Sequence, residues 1–319
     1  MKSNQKQLMR NYSPRTNFYS LQNTAGIFGI IVLYFLVSYI LVGFKTDQVI
    51  LAGIFCLSYF GTITSRKFII GFSIFIVYWI LFDYMKAFPN YNFNTVHIMQ
   101  LHDAEQALFG IHQNSTIITP NEFWLTHTST FLDVMAGIFY LCWIPVPMAF
   151  AAYLFFTDKK TFLHFALTFV LVNMIGFVIY YVYPAAPPWY VQKYGAFFIA
   201  HTPGNSAGLQ KFDDYFNAGI FKSIYAKGSN VFAAMPSLHS SYPLIVFYYG
   251  LKKKMGWVNI IFAIVMVGIW FAAVYTSHHY VLDVTAGITC AAAGILFFQK
   301  ILLPAAPVKT FMQYYLTKI

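Results

Sequence analysis

Charge is what this sequence has least of: 9% of its 319 residues are Asp, Glu, Lys or Arg, and the arginines are only Arg10, Arg15 and Arg66. A soluble domain carries charge on about a quarter of its residues, so a soluble fold is excluded. Cysteine is nearly as scarce. Cys56, Cys142 and Cys290 each lie inside an apolar run, with no paired spacing, which excludes a disulfide framework and leaves them as small buried hydrophobes. No fixed-period repeat or low-complexity tract interrupts the chain, so a single membrane domain over 1–319 is expected. The first 24 residues lack the apolar stretch and small-residue cleavage site of a signal peptide, and read as a cytoplasmic segment. The formal charge is +10, yet no cationic stripe with interleaved aromatics lies in a soluble stretch, which argues against a nucleic-acid partner.

Apolar residues are what the chain has instead, at 59% of the total with a mean hydropathy of +0.59. Eight runs, near 25–44, 48–64, 67–86, 131–156, 162–183, 232–251, 256–276 and 280–303, have about the 17–25 residues that a spanning helix needs. The expected fold is all-α: a polytopic membrane bundle of about eight transmembrane helices with both termini cytoplasmic. The cations fix the orientation, because short cytoplasmic loops collect Lys and Arg. With the N-terminus inside, the inner segments hold 14 of the 20 cations, whereas the longer outer segments hold Lys45, Lys86, Lys193, Lys211, Lys222 and Lys227. The 20% aromatic content suits lipid-facing surfaces and interfacial belts. Two outer segments, about 87–130 and 184–231, are too long for mere connections and are expected to cap a site. In the first, Asp103 to Gly110 suits an amphipathic helix on the membrane surface. The second, rich in Gly, Asn, Pro and Asp, reads as irregular. Asn114-Ser115-Thr116 is a glycosylation sequon in the first.

On this topology every polar motif falls on the outer side. Tyr183-Pro-Ala-Ala-Pro-Pro-Trp189-Tyr190 ends the fifth span, Met235-Pro-Ser237-Leu-His239-Ser240 opens the sixth, and Ser277-His278-His279-Tyr-Val-Leu-Asp283 joins the last two. Taken singly, a histidine at a helix end is an ordinary interface residue and a Pro-Trp-Tyr cluster an aromatic-belt turn. Ionisable groups at membrane depth are costly and mark function by default, which singles out Asp83, Asp133 and Asp283 near outer span ends. His279 and Asp283 are four apart and would share a helix face, where the carboxylate accepts one ring N–H and turns the other nitrogen outward. A histidine so held can attack phosphorus. His239, from another helix end, could protonate a leaving alkoxide and then take the proton of an incoming hydroxyl. His278 either holds the loop or touches substrate. Two imidazoles and a carboxylate at one membrane face suggest phosphoryl transfer on a lipid.

The order Pro-Ser-x-His, then His-x-x-x-Asp after one intervening span, resembles the type 2 phosphatidic acid phosphatase superfamily. The strings 183–190, 235–240 and 276–283, together with Asp103 to Gly110, resemble its inositol phosphorylceramide synthase branch over roughly residues 80–300. That resemblance implies His279 as nucleophile, Asp283 as its partner and His239 as acid/base. It also implies phosphatidylinositol and ceramide as lipid substrates and diacylglycerol as a product, with no cofactor and no metal.

The pattern departs from the superfamily's phosphatases in two places. Their Ser-Arg pair before the nucleophile is replaced by Ala272 and Ala273, and their Lys-x6-Arg-Pro motif is absent. A phosphodiester carries one negative charge where a monoester carries nearly two, so fewer arginines fit a diester substrate. Lys86 beside Asp83 is the first choice of phosphate partner, ahead of Lys193 and Lys227, although each could simply snorkel. Ser237, Asp133, Trp189 and Tyr190 are further candidates for substrate contact. The competing readings are a lipid phosphatase using water as acceptor, a zinc-dependent membrane hydrolase using the histidines and an aspartate, and a transporter, whose midplane polar groups are missing here. The expected setting is a bacterial inner membrane with the site facing the periplasm, or a Golgi membrane with a lumenal site.

Overall fold

A computed structural model describes residues 20–228 and 230–319. Of the expected cytoplasmic segment, residues 1–19, with Lys2, Lys6, Arg10 and Arg15, lie outside that range. The contacts group the chain into two compact units, Ile74–Thr317 and the residues up to Ser73 with Lys318–Ile319.

The first unit is built from apolar helices. Helix α1 (Leu21–Val42) starts where the Ser20 hydroxyl accepts the Asn23 N–H at 3.2 Å, and it stops at Gly43, whose φ of 76° an L side chain resists. Its 22 residues make about 33 Å, a bilayer core's thickness. Helix α2 (Thr46–Gly61) is shorter at 16 residues, and α3 (Ile63–Tyr84) carries the chain into the second unit. Large apolar side chains such as Leu33, Leu36, Ile40 and Leu57 are exposed on these helices. An apolar exterior is what a lipid solvent selects.

In the second unit, α4 (Met99–Phe109) is followed by a hairpin of β1 (Ile111–Gln113) and β2 (Thr116–Ile118), then α5 (Pro120–Thr126), α6 (Thr130–Leu141) and α7 (Pro145–Thr157). The hairpin turn is Asn114-Ser115 at φ 47° and 68°, so the sequon sits in a tight two-residue turn. Next come α8 (Lys159–Val182), the short helices α9 (Pro188–Tyr194), α10 (Gln210–Phe216) and α11 (Ile220–Ala226), then α12 (Leu238–Lys252), α13 (Val258–Tyr275), α14 (Val281–Phe297) and α15 (Ala306–Leu316).

The all-α membrane architecture stands. Among the described residues, six helical stretches are long and apolar enough to cross a membrane, Leu21–Val42, Ile63–Ala87, Thr130–Thr157, Lys159–Val182, Val258–Tyr275 and Val281–Leu302, beside the shorter Thr46–Gly61. The run at 232–251 becomes helix only from Leu238, because the chain before it is spent on turns and a backbone bridge from Ala233 to Ala185. The run at 131–156 breaks at Cys142–Ile144, ahead of Pro145 and Pro147, which lack the N–H an unbroken helix needs. The outer segment 184–231 is not irregular, since three seven-residue helices lie in it. The Met99–Phe109 helix is also no mere surface float, for Leu101 and Glu105 are buried.

At the other end of this unit, Lys253 donates to Asp158 Oδ2 at 2.8 Å, and that ammonium chiefly pushes the carboxyl down to about 2.

Candidate active site

The three strings singled out in the sequence are stitched together by their own backbones. Ser237 N–H donates to the Asp283 carbonyl at 2.9 Å, Trp189 N–H to the Ser277 carbonyl at 3.0 Å, and Ala185 N–H to the Phe232 carbonyl at 2.9 Å. His97 completes the strap, donating to Pro184 and accepting from Ala186. Gly287 lets α14 come this close to α12, because a Cβ there would sit 2.1 Å from the Ser237 carbonyl oxygen. Backbone proximity therefore brings His239, in the first turn of α12, to the turn that precedes α14.

The two imidazoles face each other, with His239 Nδ1 3.1 Å from His279 Nε2. On its far side His279 Nδ1 lies 3.5 Å from Asp283 Oδ2. His279 is not on the helix with Asp283, as the four-residue spacing suggested. It sits in the turn before Tyr280, the residue flanking α14, and Asp283 in the first helical turn reaches back, its Oδ2 accepting the Tyr280 N–H at 2.9 Å. His279 Nδ1 and Asp283 Oδ1 are enclosed and have no hydrogen-bond partner. Buried polar atoms without partners are uncommon, and catalytic contacts tighten when substrate binds. Burial pushes the His279 imidazole down to about 4, with the Ala234 carbonyl acting the other way. His278 is pushed down to about 3, again mainly by burial.

The turn itself is well braced. Ser277 takes a φ of 59°, and the Ala273 carbonyl accepts the N–H groups of both His278 and His279 at 3.1 and 3.0 Å. Asn121 donates through Nδ2 to the carbonyls of Val274 at 2.8 Å and His279 at 2.9 Å. Its place is set by a capping box in which Thr119 and Glu122 exchange hydrogen bonds across the start of α5. His278 points away from His279, donating from Nε2 to the Ser206 carbonyl at 2.9 Å and stacking on Tyr225 at 4.4 Å. It holds the loop. Ala272 and Ala273 are fully buried among Ala136, Tyr140, Leu209 and Phe212, so packed core fills the slots of the phosphatases' Ser-Arg pair.

Other candidates stand apart from the histidines. Lys86 pairs with Asp83 and lines a cavity of about 240 Å³ with Tyr91, His201 and Asn230, which neither His239 nor His279 lines. Lys193 lies over the Tyr194 ring. Asp133 accepts the Tyr275 hydroxyl at 2.6 Å and lies 3.7 Å from Lys211, which anchors the end of α13. Tyr190 donates its hydroxyl proton to the Phe197 carbonyl and accepts the Ile199 N–H, both at 2.8 Å, so it shapes a loop. Trp189 packs with it, and buried Ser237 accepts the Ser240 hydroxyl at 3.1 Å. Among the described residues no group of three His, Cys, Asp or Glu side chains is arranged to hold a metal.

Residues 99–297 match the family model of the PAP2 superfamily. The chain belongs to that superfamily. It is 40% identical over 298 residues to the phosphoinositol dihydroceramide synthase of Bacteroides thetaiotaomicron, covering 93% of this chain and 98% of that protein. It is 26% identical over 239 residues, 73% of its length, to the inositol phosphorylceramide synthase catalytic subunit of Schizosaccharomyces pombe, and 28% identical over 201 residues, 61% of its length, to the inositol phosphorylceramide synthase of Candida albicans. The matches span 54% and 42% of those two fungal proteins. No solved structure matches the chain.

Glu105 was not picked out from the sequence. Fully buried, it accepts the Val281 N–H at 2.9 Å and the Leu282 N–H at 3.0 Å, one on each oxygen. Burial raises its pKa, and these two donors work against that. It thus fastens the helix end that carries Asp283. The available signal was scarcity, since Glu105 and Glu122 are the only glutamates in the chain. Replacing Glu105 by Ala orphans two part-buried donors, each worth about 1 kcal/mol or somewhat more. Denaturation of the purified variant should show a stability loss of that order, and an unchanged midpoint would remove the fastening role.

Proposed function

We propose that this chain transfers inositol phosphate from phosphatidylinositol to the primary hydroxyl of a ceramide, releasing diacylglycerol. The observation that carries the reading is the His239–His279–Asp283 arrangement, in a chain that aligns almost end to end with a phosphoinositol dihydroceramide synthase. His279 Nε2 attacks phosphorus while Asp283 orients the ring through Nδ1. The bond from phosphorus to the diacylglycerol oxygen breaks, and that oxygen takes a proton from His239. The ceramide hydroxyl then gives its proton to His239 and attacks phosphorus. The P–N bond breaks, its electron pair returns to Nε2, and each residue ends as it began. The buried turn and the outer helices keep water from the phosphohistidine. Water as acceptor would make the protein a phosphatase, and the two alanines in place of Ser-Arg count against a dianionic monoester. The site faces the periplasm of a bacterial inner membrane, an orientation supported by the cation distribution.

The test is a lipid product assay on purified protein given phosphatidylinositol with and without ceramide. Ceramide-dependent diacylglycerol with an equal yield of inositol phosphorylceramide is the expected result. Free inositol phosphate irrespective of ceramide overturns the transferase reading.

The reaction should also resist acid. Attack needs neutral His279, whose pKa lies at about 4 instead of its ordinary 6.5 because of burial, so the first half-reaction should persist below pH 6.5 and fall only near pH 4. Stability follows the same sign: the unfolded chain binds protons at 6.5 that the folded one refuses, so the contribution is complete above 6.5 and lost as pH falls towards 4. A phosphohistidine burst, measured with labelled phosphatidylinositol, that halves near pH 6.5 would contradict this.

A further inference from the structure

His239 has a second neighbour besides His279. Tyr140, fully buried in α6, places its hydroxyl 3.3 Å from His239 Nδ1. That hydroxyl in turn accepts the hydroxyl proton of Tyr225, from α11, at 3.2 Å. With its oxygen receiving a proton from Tyr225, Tyr140 has its own left to offer to His239. Tyr225 is itself held by its stack on His278, and the edge of Trp143 closes the other side of the His239 ring at 4.4 Å between centroids. The hydroxyls lie beside an apolar cluster that includes Phe212 and Phe221. Burying a hydroxyl in such surroundings is costly unless it is hydrogen-bonded, and phenylalanine would fill the same space at lower cost.

We propose that Tyr140, directed by Tyr225, is a positioning residue that holds the acid/base histidine with Nδ1 aimed at the reacting phosphorus. The proposal rests on the transfer reaction given above. When His239 has released its proton to the departing alkoxide, the bare Nδ1 lone pair meets the Tyr140 O–H. When the ceramide proton arrives, the hydroxyl rotates and presents its oxygen. The transferred proton comes from ceramide and leaves with diacylglycerol, so Tyr140 keeps its own throughout.

Tyr140→Phe keeps the ring and removes only the hydroxyl. On phosphatidylinositol and ceramide its kcat should fall about 10–100-fold with KM unchanged, because the acid/base step alone is misaligned. An inositol phosphodiester with a nitrophenol leaving group departs without a proton, so its nitrophenolate burst should be as fast in Tyr140→Phe as in the parent. Tyr225→Phe should show the same pattern with a smaller loss, and it supplies the answer if Tyr140→Phe does not fold. A parental kcat on the natural substrates overturns the proposal, as does an equal loss on both substrates, which would mark simple packing. A nitrophenolate burst that survives His279→Ala overturns the phosphohistidine reading instead.

Discussion

Replacing His279 by alanine is expected to abolish inositol phosphate transfer, by about 10⁴-fold or more, while the protein still inserts and purifies normally. The effect should be large because, in the proposed mechanism, Nε2 is the atom that bonds to phosphorus, and the neighbouring imidazole is not placed to substitute for it. His239 turns Nδ1 to His279 and Tyr140, and among the described residues no carboxylate pairs with its ring. Some stability should be lost, about 1–3 kcal/mol, because the ring is buried and its Nε2 gives up the 3.1 Å contact with His239 Nδ1. The His279 backbone keeps its hydrogen bonds to Ala273 and Asn121, so the turn itself stays. The check is a product assay beside a thermal melt and a search for labelled phosphohistidine. Transfer within tenfold of the parent would take the nucleophile's role from this residue.

Asp283→Asn should also be damaging, though less so and for a subtler reason. The asparagine can still accept the Tyr280 N–H through its oxygen, so the first turn of α14 survives. That same oxygen is the one that faces His279 Nδ1, so it stays there as a neutral acceptor in place of a carboxylate. A neutral amide holds the ring proton, and the positive charge that develops on the imidazole during attack, less firmly than a carboxylate does. The analogous exchange in a Ser-His-Asp triad costs about 10⁴-fold in kcat through the wrong tautomer, and with the acceptor kept here a smaller loss of about 10²–10³-fold is expected. A modest stability loss is expected, since the amide nitrogen takes the enclosed Oδ1 position, where it has no hydrogen-bond partner. Comparing kcat and the melting midpoint decides it. A kcat within tenfold of the parent would mean that Asp283 serves only to close the helix.

How much of this was readable beforehand depends on the range of the interaction. Apolar runs announce helices because burial in lipid is a property of each segment alone, and the stretches at 21–42, 159–182 and 258–275 arrive where hydropathy puts them. The histidine pair and Asp283 were legible because their spacing is local and their type is rare in such surroundings. Glu105, Asn121, Tyr140 and Tyr225 were not. Each acts on a residue at least 85 positions away, so no window of sequence contains both partners. Lys86 was legible with its neighbour Asp83 because that pair is three residues apart, whereas its distance from the histidines was not. The short helices of 188–226 escaped because seven residues carry too little periodicity to outweigh nearby Gly, Asn and Pro.

The start of α14 has a consequence for which lipids can approach. A helix N-terminus ordinarily offers bare N–H groups and a partial positive charge to a phosphate. Here Asp283 takes the N–H of Tyr280, and Glu105 takes those of Val281 and Leu282. That cradle is closed to any visitor, because two buried carboxyl groups already occupy it. A phosphate must then be bound without these N–H groups, and its need for donors grows with the charge it brings. A doubly charged monoester is therefore turned away more firmly than a singly charged diester. Discrimination among headgroups would then come from the donors this pocket withholds as much as from those it offers.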